Sequence, residues 1–208
     1  MYNVEAKPVN GFTFKSANSN IICQPKHFRI GSKDYIVFKT KNKLCILNRT
    51  GRTRVTPKTS SKFSDEAMYL YENKFTTTTD KSELISVDNR GNIAIQNLSL
   101  SENHHIETTS KTLVTQSDNK LTIKRKSLEL DYGNYTKPKI FYLNDKIYVS
   151  VTDLQSQKVY LFDSQGKSIQ NFPVYGNSPI ELANIDKDRN LEFVTKGENN
   201  SIILYQIN

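Results

Sequence analysis

The last third of the chain, from Lys146 to Asn208, carries the pattern that decides the fold. It contains the apolar run Ile147-Tyr-Val-Ser-Val151, then Lys158-Val-Tyr-Leu-Phe162, then the turn Asp163-Ser-Gln-Gly166. A second pass of short apolar runs follows and ends in the last residues of the chain. Short strands separated by Asp, Asn and Gly turns are typical of a repeated antiparallel sheet. The pattern therefore predicts an all-β fold.

The same kind of unit recurs about five times along the 208 residues. No amphipathic helical pattern longer than two turns interrupts it. Radial repetition of small four-stranded sheets, with a period near ~40 residues, is typical of β-propeller blades. We therefore expect a β-propeller-like repeat domain over residues 21–208, preceded by a lead-in segment over 1–20. The predicted units span about 21–58, 63–106, 107–135, 139–174 and 178–208.

Two hairpins are indicated by their turns. Tyr35–Phe38 is expected to pair with Leu44–Leu47 across a lysine-rich turn. Leu84–Val87 is expected to pair with Asn92–Ile95 across Asp88-Asn-Arg-Gly91. Asp and Asn favour the start of such turns, and glycine supplies a positive φ at the end.

Three weaker patterns also predict short strands, at Gly11–Lys15, Ile21–Gln24 and Ile169–Pro173. His104 and His105 follow a polar stretch without a third ligand nearby, and we interpret them as loop residues.

The formal net charge of +8 suggests either a solvated basic surface or a site for a polyanion such as nucleic acid. The densest basic runs are Lys39–Lys43, Arg49–Arg54 and Lys120–Lys126. Lys and Arg alternate with other residues in each run, as on the exposed face of a strand. We favour the solvated surface, and a polyanion site remains the alternative.

Cys23 and Cys45 lie in apolar runs and are expected to be buried free thiols, since no framework of cysteine spacings exists. No stretch approaches the ~20 apolar residues of a membrane span. The N-terminus lacks a basic region followed by an apolar one, so we expect a soluble chain without an export signal.

The stretch Lys158-Val-Tyr-Leu-Phe-Asp-Ser-Gln-Gly-Lys167, with Phe172-Pro173 after it, resembles the blades of quinoprotein-like (PQQ-like) and WD40-like β-propellers. The composition, rich in Asn, Lys, Ile and Tyr, resembles propeller proteins of Bacteroidetes whose role is unknown. The resemblance implies a fold and no activity. The chain has no Trp, so the tryptophan-docking motif of cofactor-using quinoproteins is absent and we expect no quinone cofactor. By analogy, the resemblance also implies work in the bacterial envelope if the chain is part of an exported precursor.

A five-unit propeller must close its first and last blades to leave no free edge. Pairing of Gly11–Lys15 with Ile202–Ile207 is one way to do so. The alternative, which we favour, is that the chain is the C-terminal part of a larger propeller and pairs with blades elsewhere.

Oxygen-bearing side chains fall at alternate positions between residues 184 and 192, a spacing suited to calcium. The stretch resembles the FG-GAP type of propeller loop, with Lys187 and Arg189 in place of two glycines. The two cations weaken such a site, and an Asx turn before a strand is the alternative interpretation. The candidate metal ligands are Asn184, Asp186, Asp188, Asn190 (through its backbone carbonyl) and Glu192.

No nucleophile elbow, P-loop or dinucleotide-binding glycine motif is present. We therefore expect a non-catalytic binding or scaffolding propeller whose partner is a protein, held by blade loops or by a free sheet edge. The alternatives are a polyanion- or glycan-binding propeller that uses a basic face, and an enzyme with an unrecognised active site.

Overall fold

A computed structural model describes residues 3–7, 9–186 and 188–207, and these residues form nineteen β-strands and no helix. The chain divides into two compact units, Met1–Leu100 and Ser101–Asn208. Each unit is built from antiparallel sheets whose spatial order follows the order of the sequence.

The first unit contains two four-stranded sheets, each a simple meander. The first sheet consists of β1 (Lys26–Ile30), β2 (Lys33–Lys39), β3 (Leu44–Leu47) and β4 (Thr53–Val55). The second consists of β5 (Tyr69–Tyr71), β6 (Lys74–Thr78), β7 (Leu84–Val87) and β8 (Ile93–Gln96).

The second unit contains two four-stranded sheets and one three-stranded sheet. The third sheet consists of β9 (His104–Thr108), β10 (Leu113–Ser117), β11 (Lys120–Ile123) and β12 (Lys126–Glu129). The fourth consists of β13 (Lys139–Leu143), β14 (Lys146–Asp153), β15 (Lys158–Asp163) and β16 (Val174–Tyr175). The fifth consists of β17 (Glu181–Ala183), β18 (Leu191–Lys196) and β19 (Ile202–Ile207). The predicted series of about five short antiparallel sheets is confirmed.

Three turns of one design join the third and fourth strands of the first, second and fourth sheets. In each, an Asn or Asp side-chain oxygen accepts hydrogen bonds from the backbone N–H groups two and four residues later. The glycine that follows takes a φ between 70° and 95°, which strains any residue with a β-carbon. The turns are Asn48–Gly51, Asp88–Gly91 and Asp163–Gly166. Both hairpins predicted from the sequence are confirmed.

Three predicted strands are wrong. Ile21–Gln24 makes only a single bridge, between Ile21 and Thr40, because Pro25 has no N–H for a longer ladder. Ile169–Pro173 forms a turn, closed by the Phe172 N–H bond to the Ile169 carbonyl, and β16 begins only after the proline. Gly11–Lys15 is also not a strand.

The segment around Thr13 lies against the first sheet. The Thr13 N–H donates to the Thr50 carbonyl at 2.8 Å. The Phe14 ring packs edge-on against Phe38, with ring centroids 5.3 Å apart. The segment is therefore attached to the first sheet by two hydrogen bonds to the β3–β4 turn, from the N–H and Oγ1 of Thr13 to the Thr50 carbonyl, and by the contact of Phe14 with Phe38 of β2.

The two histidines predicted to lie in a loop belong instead to β9, which pairs with β10 in the third sheet. His104 is buried, and its Nδ1–H donates to the Ser101 carbonyl at 2.8 Å. The loop interpretation was wrong because this strand is polar and shows no apolar alternation.

Buried apolar clusters join consecutive sheets inside each unit. Tyr35 and Val37 of the first sheet meet Phe75 and Ile85 of the second. In the second unit, β15 is buried on both faces, because alternate side chains point to opposite sides of a strand. Tyr160 and Phe162 of β15 pack with the third sheet, and Val159 and Leu161 pack with the fifth. Burial on both faces explains why β15 is a continuous apolar run.

The two cysteines are free thiols, as predicted. Cys45 is buried, and burial raises the pKa of its thiol. Cys23 is only partly buried, because the segment that carries it is not a strand. Among the described residues, no helix is long and apolar enough to cross a membrane.

Candidate functional site

The fifth sheet carries the candidate metal ligands, in the loop that joins β17 to β18. Asn184, Asp186, Asp188 and Asn190 lie in this loop, and Glu192 is the second residue of β18. The structure brings Asp186, Asp188 and Glu192 together, with one carboxylate oxygen of each within 4.8 Å of the other two. Lys187, the first of the two cations in the pattern, lies outside the described residues.

Hydrogen bonds within the loop hold Asp188 at its centre. The Asp188 N–H donates to Asp186 Oδ1 at 3.0 Å. Asn190 donates to both carboxylate oxygens of Asp188, from its N–H at 2.6 Å and from Nδ2 at 2.9 Å. Asn184 Nδ2 donates to the Asp188 carbonyl at 2.7 Å. The side-chain nitrogens of both asparagines therefore face Asp188.

Two oxygens in this cluster are buried without a hydrogen-bond donor among the residues that the structure describes. Glu192 is only 6% exposed. Its Oε2 accepts the Ile185 N–H at 2.9 Å, whereas its Oε1 has no partner. Asn184 Oδ1 is likewise buried and unpartnered. A buried acceptor without a donor costs about 1–3 kcal/mol. A hydrogen-bond donor or a cation that contacts these two oxygens would therefore stabilise the loop.

The donor set consists of oxygen atoms alone. Oxygen ligands suit hard cations such as Ca²⁺ and Mg²⁺, whereas soft or borderline metals prefer sulfur and imidazole. Of the described Lys and Arg residues, none forms an ion pair with these three carboxylates. The loop can therefore hold one divalent cation chemically.

The outer edge of β19 is the second feature of the fifth sheet. The other four sheets have four strands each, and within the described chain no strand pairs with β19 beyond β18. Lys196 directs its backbone towards the β17 side, since its carbonyl accepts the Asn177 N–H at 2.7 Å. The pair Lys196–Ile202 is therefore not hydrogen-bonded across β18 and β19.

The alternation of an antiparallel ladder then decides which groups of β19 are free. The backbone N–H and C=O groups of Ile202, Leu204 and Gln206 point away from β18. Ile202 is 79% exposed and Leu204 is 60% exposed. Two of the three residues whose backbone groups are unpaired in the described chain therefore also have exposed apolar side chains. Tyr205 and Ile207, on the opposite face, pack against the core shared with the fourth sheet.

The exposure of Ile202 and Leu204 was not predicted. The run Ile202-Ile-Leu-Tyr-Gln-Ile207 resembles a strand buried on both faces. The one sequence signal for a free face is the strand count, since only three strand patterns follow Ser178. An apolar run cannot by itself show whether a neighbouring sheet covers it.

Comparison with known proteins bears on the fold alone. A scan of protein-family models finds no match. A search of curated proteins also finds no match.

Several solved structures share the architecture of this chain. One is a catalytically inactive virginiamycin B lyase from Staphylococcus aureus, solved with quinupristin: identity is 14%, the TM-score is 0.53, and the match covers 85% of this chain and 68% of that one. BBS1N in complex with ARL6DN has 12% identity, a TM-score of 0.55 and coverage of 90% and 66%. The dihydro-heme d1 dehydrogenase NirN in complex with DHE has 14% identity, a TM-score of 0.52 and coverage of 84% and 42%.

These neighbours are β-propellers, and they include enzymes as well as a protein solved in a complex with another. Identities this low transfer no activity. The chain spans no more than about two thirds of the length of each neighbour. The chain has a β-propeller-like fold of short antiparallel sheets.

Proposed function

We propose that this chain is a non-catalytic binding domain that holds a protein partner by strand addition at the outer edge of β19. The observation that carries the proposal is the fifth sheet, which has three strands in the described chain, whereas each of the other four sheets has four. An added strand pairs with the free backbone of Ile202, Leu204 and Gln206 and covers the two exposed apolar side chains. Backbone pairing supplies affinity in this mode of recognition, and side-chain pockets supply specificity.

The partner segment that fits this edge is extended, with apolar side chains at alternate positions. The net charge of +8 favours encounter with a segment that also carries acidic residues. We propose no catalytic role, because the sequence lacks the nucleophile and nucleotide-binding motifs. We also propose no quinone cofactor, because the chain has no Trp for the tryptophan-docking motif, although its blades resemble the quinoprotein-like type.

A polyanion site is less well supported than the edge. In the first sheet, Lys41 and Lys43 lie in the β2–β3 turn, whereas Arg49 and Arg52 lie in the β3–β4 turn, at the other end of β3. Arg54 lies within β4, with its guanidinium over the Tyr35 ring. The two basic runs of the first unit therefore do not form one contiguous patch. Lys39, which belongs to the first run, is fully buried.

The test compares the wild-type chain with Leu204→Pro in tagged purification from the native source, with capture at about 0.1 M salt and a wash at about 0.5 M salt, which screens exposed charges. Proline is tolerated on an edge strand where the lost N–H faces solvent, so the variant should fold and lose the outward-facing donor. Ile95→Lys is the matched control, since Ile95 is 49% exposed on β8, at the edge of a complete four-stranded sheet.

We expect one protein to co-purify in fixed stoichiometry with the wild type and with Ile95→Lys, and to be lost with Leu204→Pro. Hydrogen exchange should then show protection of the Ile202, Leu204 and Gln206 amides in the purified complex. Equal recovery with Leu204→Pro refutes strand addition. Recovery of only nucleic acid or polysaccharide, released by the salt wash, favours the basic-surface alternative. If these three amides are protected before any partner is added, in a native protein of larger intact mass, the edge is covered by the rest of a longer chain.

A further inference from the structure

The β17–β18 loop shows two independent properties that point to the same ligand. Three carboxylates converge to within 4.8 Å, although like charges at that separation repel one another. Glu192 Oε1, on one of these carboxylates, and Asn184 Oδ1, at the start of the same loop, are buried without a hydrogen-bond donor among the described residues. Glu192 is more than nine-tenths buried, and its carboxylate lies with those of Asp186 and Asp188. A cation at the centre of the three carboxylates removes both costs.

We propose that this loop binds one Ca²⁺ ion through the carboxylates of Asp186, Asp188 and Glu192 and the side-chain oxygen of Asn184. Asp186 and Asp188 are exposed and admit the ion from solvent, whereas Glu192 holds it from the buried side. Water completes the sphere of six to eight oxygens that calcium takes.

The number of protein ligands favours calcium over magnesium. Three carboxylates and one amide oxygen would place four protein oxygens around one ion. Ca²⁺ accepts about six to eight oxygens in a flexible geometry, whereas Mg²⁺ usually keeps several waters and takes only one or two carboxylates. A site with three carboxylates therefore suits the larger ion.

The bound ion ties the loop to the strand next to the free edge. Glu192 lies opposite Gln206 in the β18–β19 ladder, and it also accepts the Ile185 N–H of the loop. Calcium therefore stabilises the fifth sheet, whether or not a partner strand adds to it.

The test measures thermal unfolding of the full chain in EDTA and in about 5 mM CaCl₂, at matched ionic strength. This calcium concentration exceeds the dissociation constants of extracellular-type sites, which are about 10⁻⁴–10⁻³ M. Isothermal titration of the EDTA-treated protein with CaCl₂ gives the stoichiometry. The variant is Glu192→Gln, which keeps the shape and removes the buried charge. The control is Glu129→Gln, an exposed glutamate at the end of β12.

We expect calcium to raise the midpoint of the wild type and of Glu129→Gln by about 2–8 °C, with one ion bound. Glu192→Gln should lose this increment, and its midpoint in EDTA should equal or exceed that of the wild type because one of three repelling charges is gone. The proposal is overturned by an unchanged wild-type midpoint, by an equal increment in Glu192→Gln, or by the same increment with MgCl₂ alone.

Discussion

Lys39 is the clearest case of a buried side chain whose charged form destabilises the folded state. It is fully buried at the end of β2, and its Nζ donates to Thr77 Oγ1 of the second sheet at 2.5 Å. Burial lowers the pKa of Lys39 from 10.5 to about 8, although the nearby Cys23 and Glu66 favour the charged form. A shift of this size corresponds to about 3 kcal/mol against the ammonium in the folded state.

The first prediction concerns this lysine and pH. The folded protein releases the proton near pH 8 and the unfolded chain releases it near pH 10.5, so the unfolded chain binds more protons between those values. The contribution of Lys39 to the free energy of unfolding should therefore rise with pH across that window, and it is measured as the difference between the wild type and Lys39→Met, because the raised pKa of the Cys45 thiol acts in the opposite direction. Lys39→Met should remove this rise and should raise stability at pH 7 by about 1–3 kcal/mol, since an apolar side chain replaces a buried charge. Urea denaturation from pH 7 to 10.5 measures both effects.

Lys33→Met is the control for this experiment, because Lys33 is exposed at the first residue of the same strand, β2. It should follow the wild type at every pH. If Lys39→Met keeps the wild-type pH dependence, the lysine does not titrate in the folded protein as described.

At the level of elements, an aromatic stack holds β18 to β19. Phe193 and Tyr205 lie opposite each other in the ladder, with ring centroids 4.8 Å apart and planes within 17°. Phe172, from the turn before β16, adds a third ring at 5.6 Å from Phe193. Phe193 is 1% exposed, so the edge strand depends on a fully buried ring.

The second prediction removes that ring. Phe193→Ala should cost about 3–5 kcal/mol of unfolding free energy, the usual range for a buried phenylalanine. Hydrogen exchange should show the amides of β19 opening more often than those of β14. Tyr205→Phe, which removes only the hydroxyl that donates to the Tyr175 carbonyl at 3.0 Å, should cost about 1 kcal/mol. A smaller loss for Phe193→Ala than for Tyr205→Phe would contradict the stack as the main link.

Elements were predictable from sequence where the turn chemistry was local. The turn Asp88–Gly91 contains its own hydrogen-bond acceptor and its own residue with positive φ, so the hairpin around it was predicted correctly. Ile169–Pro173 has apolar residues but no paired backbone donor at Pro173, and it forms a turn instead. Polar β9 was missed because its pairing with β10 is decided by the neighbouring strand.

On the scale of the whole molecule, the chain consists of two compact units with their own buried clusters. The exposed segment 97–103 joins β8 to β9 between them. A buried cluster that lies inside one unit supports that unit independently of the other.

The third prediction follows from this division. Cleavage at a specific protease site introduced between Leu100 and Ser101 should, under native conditions, leave two fragments that keep their β-sheet circular dichroism. The same site in the turn Asp88–Asn92 should instead leave a nicked first unit whose pieces stay together, because both pieces belong to one sheet. Loss of structure after cleavage between Leu100 and Ser101 would show that neither unit folds without the other.

The candidate site was predictable to a lesser degree than the fold. Alternation of oxygen-bearing residues from Asn184 to Glu192 is a local pattern and could be seen in the sequence. Which of the five residues converge could not be seen. Asn190 turns its amide towards Asp188, whereas Glu192 reaches back from β18 into the loop.

By itself, the sequence determined the all-β class, the repeat of short antiparallel sheets and the three Asx–Gly turns, because strand alternation and turn chemistry act between residues close in the chain. Only the tertiary structure decided that Lys39 is buried, that Glu192 Oε1 lacks a donor among the described residues and that Ile202 and Leu204 face solvent. Burial and hydrogen-bond partners depend on which distant segments pack against a side chain, so they cannot be read from the residue type alone.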